Sequence, residues 1–317
     1  MRRWKVVLAL SGMILAQRPM AFAWNSTGHR AVAYIAYKQL DDATKQRVVT
    51  ALRQHPAAGT DLWTKGGVNG NDKDLNLFLN AATFPDDARH SHGPNRFHDP
   101  KFDQFDKPPN HFVDFEFKPP AKTPGDPASG DTILNTYQAN VATVKDANAD
   151  GTAQAVALSW IIHQVGDVHQ PLHCVSRFAG KLTNVANGDR GGNGVAPFPN
   201  PRGGHDLHSF WDDLLGSDSS ANTPDKIQAV AHGVIQAFPV AAFSKDELQG
   251  ADDLKPWALD SFGLAVEKSY DPLDDDLDSG VADLPDGYED AAKSLANRRI
   301  ALAGYRLASQ LKALFPK

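Results

Sequence analysis

The sequence predicts a mainly α, single-domain fold, with a short β-hairpin or extended segments beside the helices. Three observations carry this. The run AQAVALSWII at 153–162 is as apolar as a helix at the centre of a soluble protein. Near the C-terminus Ala296, Ile300, Ala303, Leu307, Leu311 and Leu314 step by three or four, the stripe of a long packed helix. No internal repeat and no linker divides the 317 residues, a length that can bury a large core.

The first 23 residues read as a signal peptide. MRRWK is a basic start, VVLALSGMILA an apolar stretch of eleven residues, and AFA at 21–23 a small-x-small cleavage site. Eleven residues are too few to span a bilayer. No later stretch reaches the apolar length that spanning needs, so the expectation is a soluble protein that is secreted or periplasmic. Cleavage after Ala23 leaves 24–317 as the working domain, with 28 basic against 38 acidic residues and a net charge of −10 in place of −6. An acidic chain is not one that grips duplex DNA by neutralising phosphates. It remains compatible with an enzyme whose metal ions supply positive charge locally. The single cysteine, Cys174, excludes an internal disulfide and reads as a small buried residue.

Along the chain, Trp24 to Leu40 reads as a helix capped by Ser26 or Thr27, with Val32, Ile35, Ala36 and Leu40 inward. Asp41 and Asp42 open a second helix through Leu52. Asn76 to Arg89 holds one or two short helices, in which Asp86 and Asp87 can be caps or solvated carboxylates. From His90 to Pro124 the chain is loop-like, with NHFVDFEF at 110–117 extended and His90, His92 and His98 expected on the surface. Asp131 to Lys145 and Gly151 to Gln170 are helical, and Pro171 kinks or stops the second. A loop from Val175 to Gly204 contains GDRGGNG, which lacks the lysine of a phosphate-cradling loop and reads as a hairpin turn or flexible wall. Asp206 to Leu215 is a short helix, and the helical remainder is scaffold without ligand-like residues.

The chemistry concentrates at His163–His173, HQVGDVHQPLH. His163 and Asp167 are four apart and share one helix face. His173 follows the bend. His208 and Asp212 repeat the spacing of four. A buried helix does not readily carry ionisable pairs unless they are compensated, and metal coordination is one of few arrangements that does so. His29 gains interest from the amine of Trp24, which cleavage would free five residues earlier. A terminal amine and its own carbonyl form a five-membered chelate ring, and a nearby imidazole completes most of a site. Imidazole and carboxylate with almost no thiol suit catalytic zinc. So many ligands suit two or three ions, and clustered ions suit in-line displacement at phosphorus.

The motifs WNSTGH at 24–29, PDD at 85–87, HFVD at 111–114, HQVGDVHQPLH at 163–173, GDRGGN at 188–193 and LHSFWD at 207–212 stand in this order. In them the chain resembles the zinc-dependent single-strand (type I) nucleases, which share the fold of bacterial zinc-dependent phospholipase C. The resemblance implies three zinc ions. One would be held by Asp86, His111, His163 and Asp167. Its neighbour would be held by the Trp24 amine and carbonyl, His29 and a bridging Asp167. The third would be held by His173, His208 and Asp212. It implies that Asp86 and Asp167 serve catalysis by holding the ions that carry the attacking hydroxide, and that the third zinc steadies the departing 3′-oxygen. Phe112 would stack on a base and Asp114 would hydrogen-bond it. Stacking needs an unpaired base and accepts any. The implied substrates are single-stranded DNA and RNA and 3′-nucleotides, cut to 5′-phosphorylated products by a monomer without stable membrane association.

Two other readings compete. A phospholipase C of this fold carries glutamate where Asp212 stands and needs no HFVD motif. A non-catalytic zinc-binding protein would rather use a histidine-rich tract than ligands spread over the chain.

Overall fold

The computed structural model describes residues 24–88, 99–127, 130, 132–216, 223–273 and 277–316. The expected signal peptide and the expected surface histidines His90, His92 and His98 lie outside the described residues.

Helix α1 (Ser26–Gln39) opens the described chain and is buried along most of its length. Its cap is Asn25, one residue ahead of the expected Ser26 or Thr27. The Asn25 side chain accepts from the amides of Thr27 and Gly28 at 3.0 and 3.3 Å, which ties the first turn down. Helix α2 (Asp42–Leu52) is capped by Asp41 as expected. The short α3 (Asp61–Thr64), α4 (Lys73–Ala81) and α5 (Phe84–Asp87) follow. The expected loop contains two 3-10 turns, Pro100–Phe105 and Pro108–His111.

Helix α6 (Ile133–Lys145) lies against α7 (Gly151–Asp167). Asp150 caps α7 by accepting from Thr152 and Ala153. From Ala155 onward nearly every residue of α7 is buried, because α1, α2, α5, α6 and α11 all pack on it. It ends at Asp167, short of the expected Gln170, and Pro171 starts a 3-10 turn, Pro171–Cys174. The remaining helices are α8 (Leu207–Asp212), α9 (Pro224–Ala237), α10 (Lys255–Leu264) and α11 (Tyr288–Leu314). A wide turn, Ala265–Tyr270, continues α10 with Asp271 N bonding back to Val266 O at 3.0 Å.

The two strands do not form a hairpin. Strand β1 (Glu116–Phe117) runs parallel to β2 (Ser176–Arg177), with Glu116 opposite Ser176. The ladder starts beside the site, where Val113 N donates to His173 O at 2.9 Å. Parallel pairing needs a long crossover, which here contains α6 and α7. At the opposite wall α1 packs along α11. A Cβ on Gly304 would stand 2.5 Å from Ile35 Cγ2, so the two backbones approach as only glycine allows. Among the described residues no helix is long and apolar enough to cross a membrane.

Candidate metal centre

Three groups of side chains converge at buried points: His29, His163 and Asp167; Asp86, His111 and His163; and His173, His208 and Asp212. Six pieces of the fold supply them. Helix α1 brings His29, α5 brings Asp86, and the 3-10 turn after Pro108 brings His111. Helix α7 brings His163 and Asp167, the turn after Pro171 brings His173, and α8 brings His208 and Asp212. Gly166 makes room for α1 at this point, since a Cβ there would lie 2.8 Å from His29 Nδ1. The His29 and His163 rings stack with centroids 3.9 Å apart.

Backbone carbonyls set the histidine tautomers. A carbonyl only accepts, so the ring nitrogen facing it carries the proton and the other is left for a cation. His163 Nδ1 donates to Ala82 O at 2.8 Å, His173 Nδ1 to His111 O at 2.7 Å, and His208 Nδ1 to Gly191 O at 2.7 Å. The Nε2 atoms then face other basic atoms: His163 Nε2 lies 2.9 Å from His111 Nδ1, and His173 Nε2 lies 3.0 Å from His208 Nε2. Asp167 divides its carboxylate, with Oδ1 at 3.2 Å from His29 Nε2 and Oδ2 at 3.2 Å from His111 and from His163. Asp86 spans the same gap at 3.7 to 3.9 Å from His111, His163 and His29. Asp87, by contrast, accepts from Thr83 Oγ1 at 2.9 Å. Asp86 is therefore the inward carboxylate of the pair.

These groups fit zinc. Donors at 2.0–2.1 Å around a tetrahedral ion stand about 3.3 Å from one another. The observed donor separations of 2.9 to 3.9 Å bracket that value. Both ring nitrogens of His29 and Oδ1 of Asp167 are buried and make no hydrogen bond among the described residues, which is costly unless something binds there. The titration behaviour agrees. Burial, and then the neighbouring His163, lowers His29 to about 4. Burial opposes charge on His163 as well, but Asp167 and Asp86 outweigh it and raise that ring to about 9. Burial alone would raise Asp167, yet His163 and the bonded rings hold it well below the usual carboxylate range. Burial lifts Asp212 well above that range, against the pull of Gln170 Nε2, which donates to Asp212 Oδ1 at 2.8 Å.

Trp24 is fully buried one turn ahead of His29 and joins none of the three groups through its side chain. The chelate expected at its amine depends on cleavage after Ala23 and so on residues outside the described ones. Phe112 is half-buried beyond His111, and its carbonyl accepts from Ile133 N at 3.0 Å. Asp114 lines a cavity of about 350 Å³ with Glu116, Asp126, Phe178 and Asn187; Phe112 is not among the lining residues. Cys174 is buried, with Sγ 3.7 Å from Val168 O, and lies outside the metal-ligand groups.

The supporting shell contains residues that the ligand spacing did not reveal. Gln164, beside His163, donates to Asn110 O and Thr136 Oγ1 at 3.0 and 2.9 Å and so holds the turn that ends at His111. Arg299 of α11 donates to His169 O at 3.1 Å and to Ser261 Oγ at 2.6 Å, clamping the turn after α7. A polar residue inside an all-apolar helix was the available signal for Gln164; Arg299 had none before its neighbours were known.

The S1/P1 nuclease family model matches residues 24–316. The chain belongs to the S1/P1 nuclease family. Membership makes it a nuclease, a hydrolase acting on nucleic acid. Nuclease S1 of Aspergillus oryzae (strain ATCC 42149 / RIB 40) is 24% identical over 317 residues, covering 96% of each chain. The family match begins at Trp24, and the nuclease framework encloses all three His/Asp groups.

Proposed function

We propose that the chain is an exported nuclease carrying three zinc ions, which cuts single-stranded DNA and RNA to 5′-phosphorylated products and acts on 3′-nucleotides. Residues 1–23 are its signal peptide and 24–317 its one working domain, acting as a monomer. The observation that carries this reading is the convergence of imidazole nitrogens on shared carboxylates at coordination spacing. The start of the family match at the expected cleavage point supports the leader.

Asp86, His111, His163 and Asp167 would hold one ion, and Trp24, His29 and Asp167 a second beside it. His173, His208 and Asp212 would hold the third. Zinc bound there supplies Lewis acidity and acidifies a water to a pKa of roughly 7. Asp86 and Asp167 serve the reaction by gathering positive charge where phosphate must sit. Gln170 keeps Asp212 turned inward. Phe112 offers a stacking face, and Asp114 a hydrogen-bonding edge beside the neighbouring cavity. A paired base has no free face to offer Phe112, which is the physical ground for preferring single strands.

The test is release of acid-soluble 5′-nucleotides from single-stranded DNA by protein beginning at Trp24. It is run with zinc and again after chelation. Release abolished by the chelator and restored by zinc is expected. Undiminished release in chelator would overturn the zinc dependence. No release from zinc-replete protein would overturn the single-strand substrate and turn attention to phospholipid.

A further inference from the structure

The GDRGGN turn, expected as a hairpin turn or flexible wall, joins no antiparallel strands among the described residues and lies against His208. Asp189 within it is buried, and its carboxylate is a hub. Oδ1 accepts from Arg177 N at 2.8 Å on β2, and Oδ2 accepts from the Tyr270 hydroxyl at 2.7 Å in the wide turn after α10. The backbone of Asp189 adds two more ties, its amide to Arg177 O and its carbonyl to Gly194 N, each at 2.9 Å. Two residues on, Gly191 presents the carbonyl that takes the Nδ1 proton of His208. Gly191 has φ 62°, and a Cβ there would stand 2.1 Å from Leu172 O, so this carbonyl is delivered by a backbone pressed against the His173 turn. Arg190 also adopts a left-handed φ of 55°, a conformation that a non-glycine residue holds only when its surroundings enforce it. The same turn ties the start of α8, because Leu207 N donates to Val195 O at 3.1 Å.

We propose that Asp189 is a positioning residue for the His173–His208–Asp212 group, its buried carboxylate holding the 188–194 turn so that the Gly191 carbonyl orients the His208 ring. Asp189 itself touches no ligand atom. Its influence passes through one backbone carbonyl to one imidazole, whereas His163 is held by Ala82 O and Asp167 by His29, His111 and His163. Loss of Asp189 therefore loosens one group and leaves the other two intact. Partners of metal-bound histidines that fix ring and tautomer are typically worth about ten- to a hundredfold in metal affinity. The metal side of this inference rests on the zinc reading above; the ring-orientation side does not.

Two measurements on the full chain test it, in Asp189→Ala and in Tyr270→Phe, which removes only one hydroxyl and keeps the fold within reach. In the first, zinc is titrated by equilibrium dialysis. The expected result is weakening of one ion, about tenfold or more in Asp189→Ala and less in Tyr270→Phe, with the remaining ions unchanged. Unchanged affinity for every ion, or equal weakening of all, would overturn the proposal. In the second, the Nδ1 protons of His163 and His208 are followed by NMR without added metal. Both carbonyl-bonded protons exchange slowly in the wild type; in the variants His208 exchanges faster and His163 does not. Equal acceleration at both rings, or none at His208, would overturn the proposal. If the wild-type chain binds no zinc, the zinc reading fails, and the NMR result still decides the role of Asp189.

Discussion

The Nε2 atoms of His173 and His208 stand 3.0 Å apart, and each ring already gives its Nδ1 proton to a carbonyl. Two lone pairs at that distance repel unless a positive charge lies between or beside them. Asp212, with Oδ2 3.6 Å from His208 Nε2, completes a pocket for such a charge.

Removing metal should therefore destabilise the fold as well as stop the reaction. At free zinc a thousandfold above its dissociation constant, one bound ion stabilises by about 4 kcal/mol. For a domain of this size that is roughly 10 °C in Tm. Calorimetry with and without chelator checks this, and an unchanged Tm would count against a metal centre.

Asp167 faces His29 with one oxygen and His111 and His163 with the other. Asp167→Asn keeps the shape and removes the charge, so zinc content should fall by two ions rather than one. Full occupancy in that variant would show that Asp167 does not bridge.

One residue added ahead of Trp24 should abolish activity and lower zinc content by one ion, because an amide nitrogen does not replace a terminal amine as a ligand. Elemental analysis beside a nuclease assay decides this. A fully active, fully loaded extended protein would remove Trp24 from the ligand set.

Burial, and then the nearby Asp189 charge, raises Asp114 to about 7. The folded protein thus favours the protonated carboxyl. The stability this lends is complete below the ordinary value of 3.8 and is lost as pH rises through about 7. Asp114→Asn should match the wild type in Tm near pH 4 and exceed it near pH 8, both measured in chelator. An equal Tm difference at the two pH values would contradict a raised Asp114.

Part of the converging His/Asp set was legible because helix geometry makes a spacing of four visible: His163 with Asp167 and His208 with Asp212 share faces in any helix. The apolar run before His163 made their burial legible too. The cap of α1 was not, because Asn25, Ser26 and Thr27 are all good caps and only the entry path of the chain selects among them. The alternation at 110–117 revealed an extended segment, but its parallel pairing with Ser176 was hidden because the partner strand has only two residues and carries no pattern. The roles of Asp189 and Arg299 depend on partners far away in sequence, Tyr270 for one and His169 for the other. Asp189 looked like a turn residue, and Arg299 was one residue of a helix read only as scaffold, until the fold brought those partners to them.

The packing of α1 along α11 has a consequence in time. His29 rides on the first described helix, and the wall that holds that helix is the last one, reaching Leu314. A chain still emerging from the ribosome has made every histidine and aspartate of the centre long before it has made that wall. The wall behind His29 therefore closes only once the α11 segment has been made.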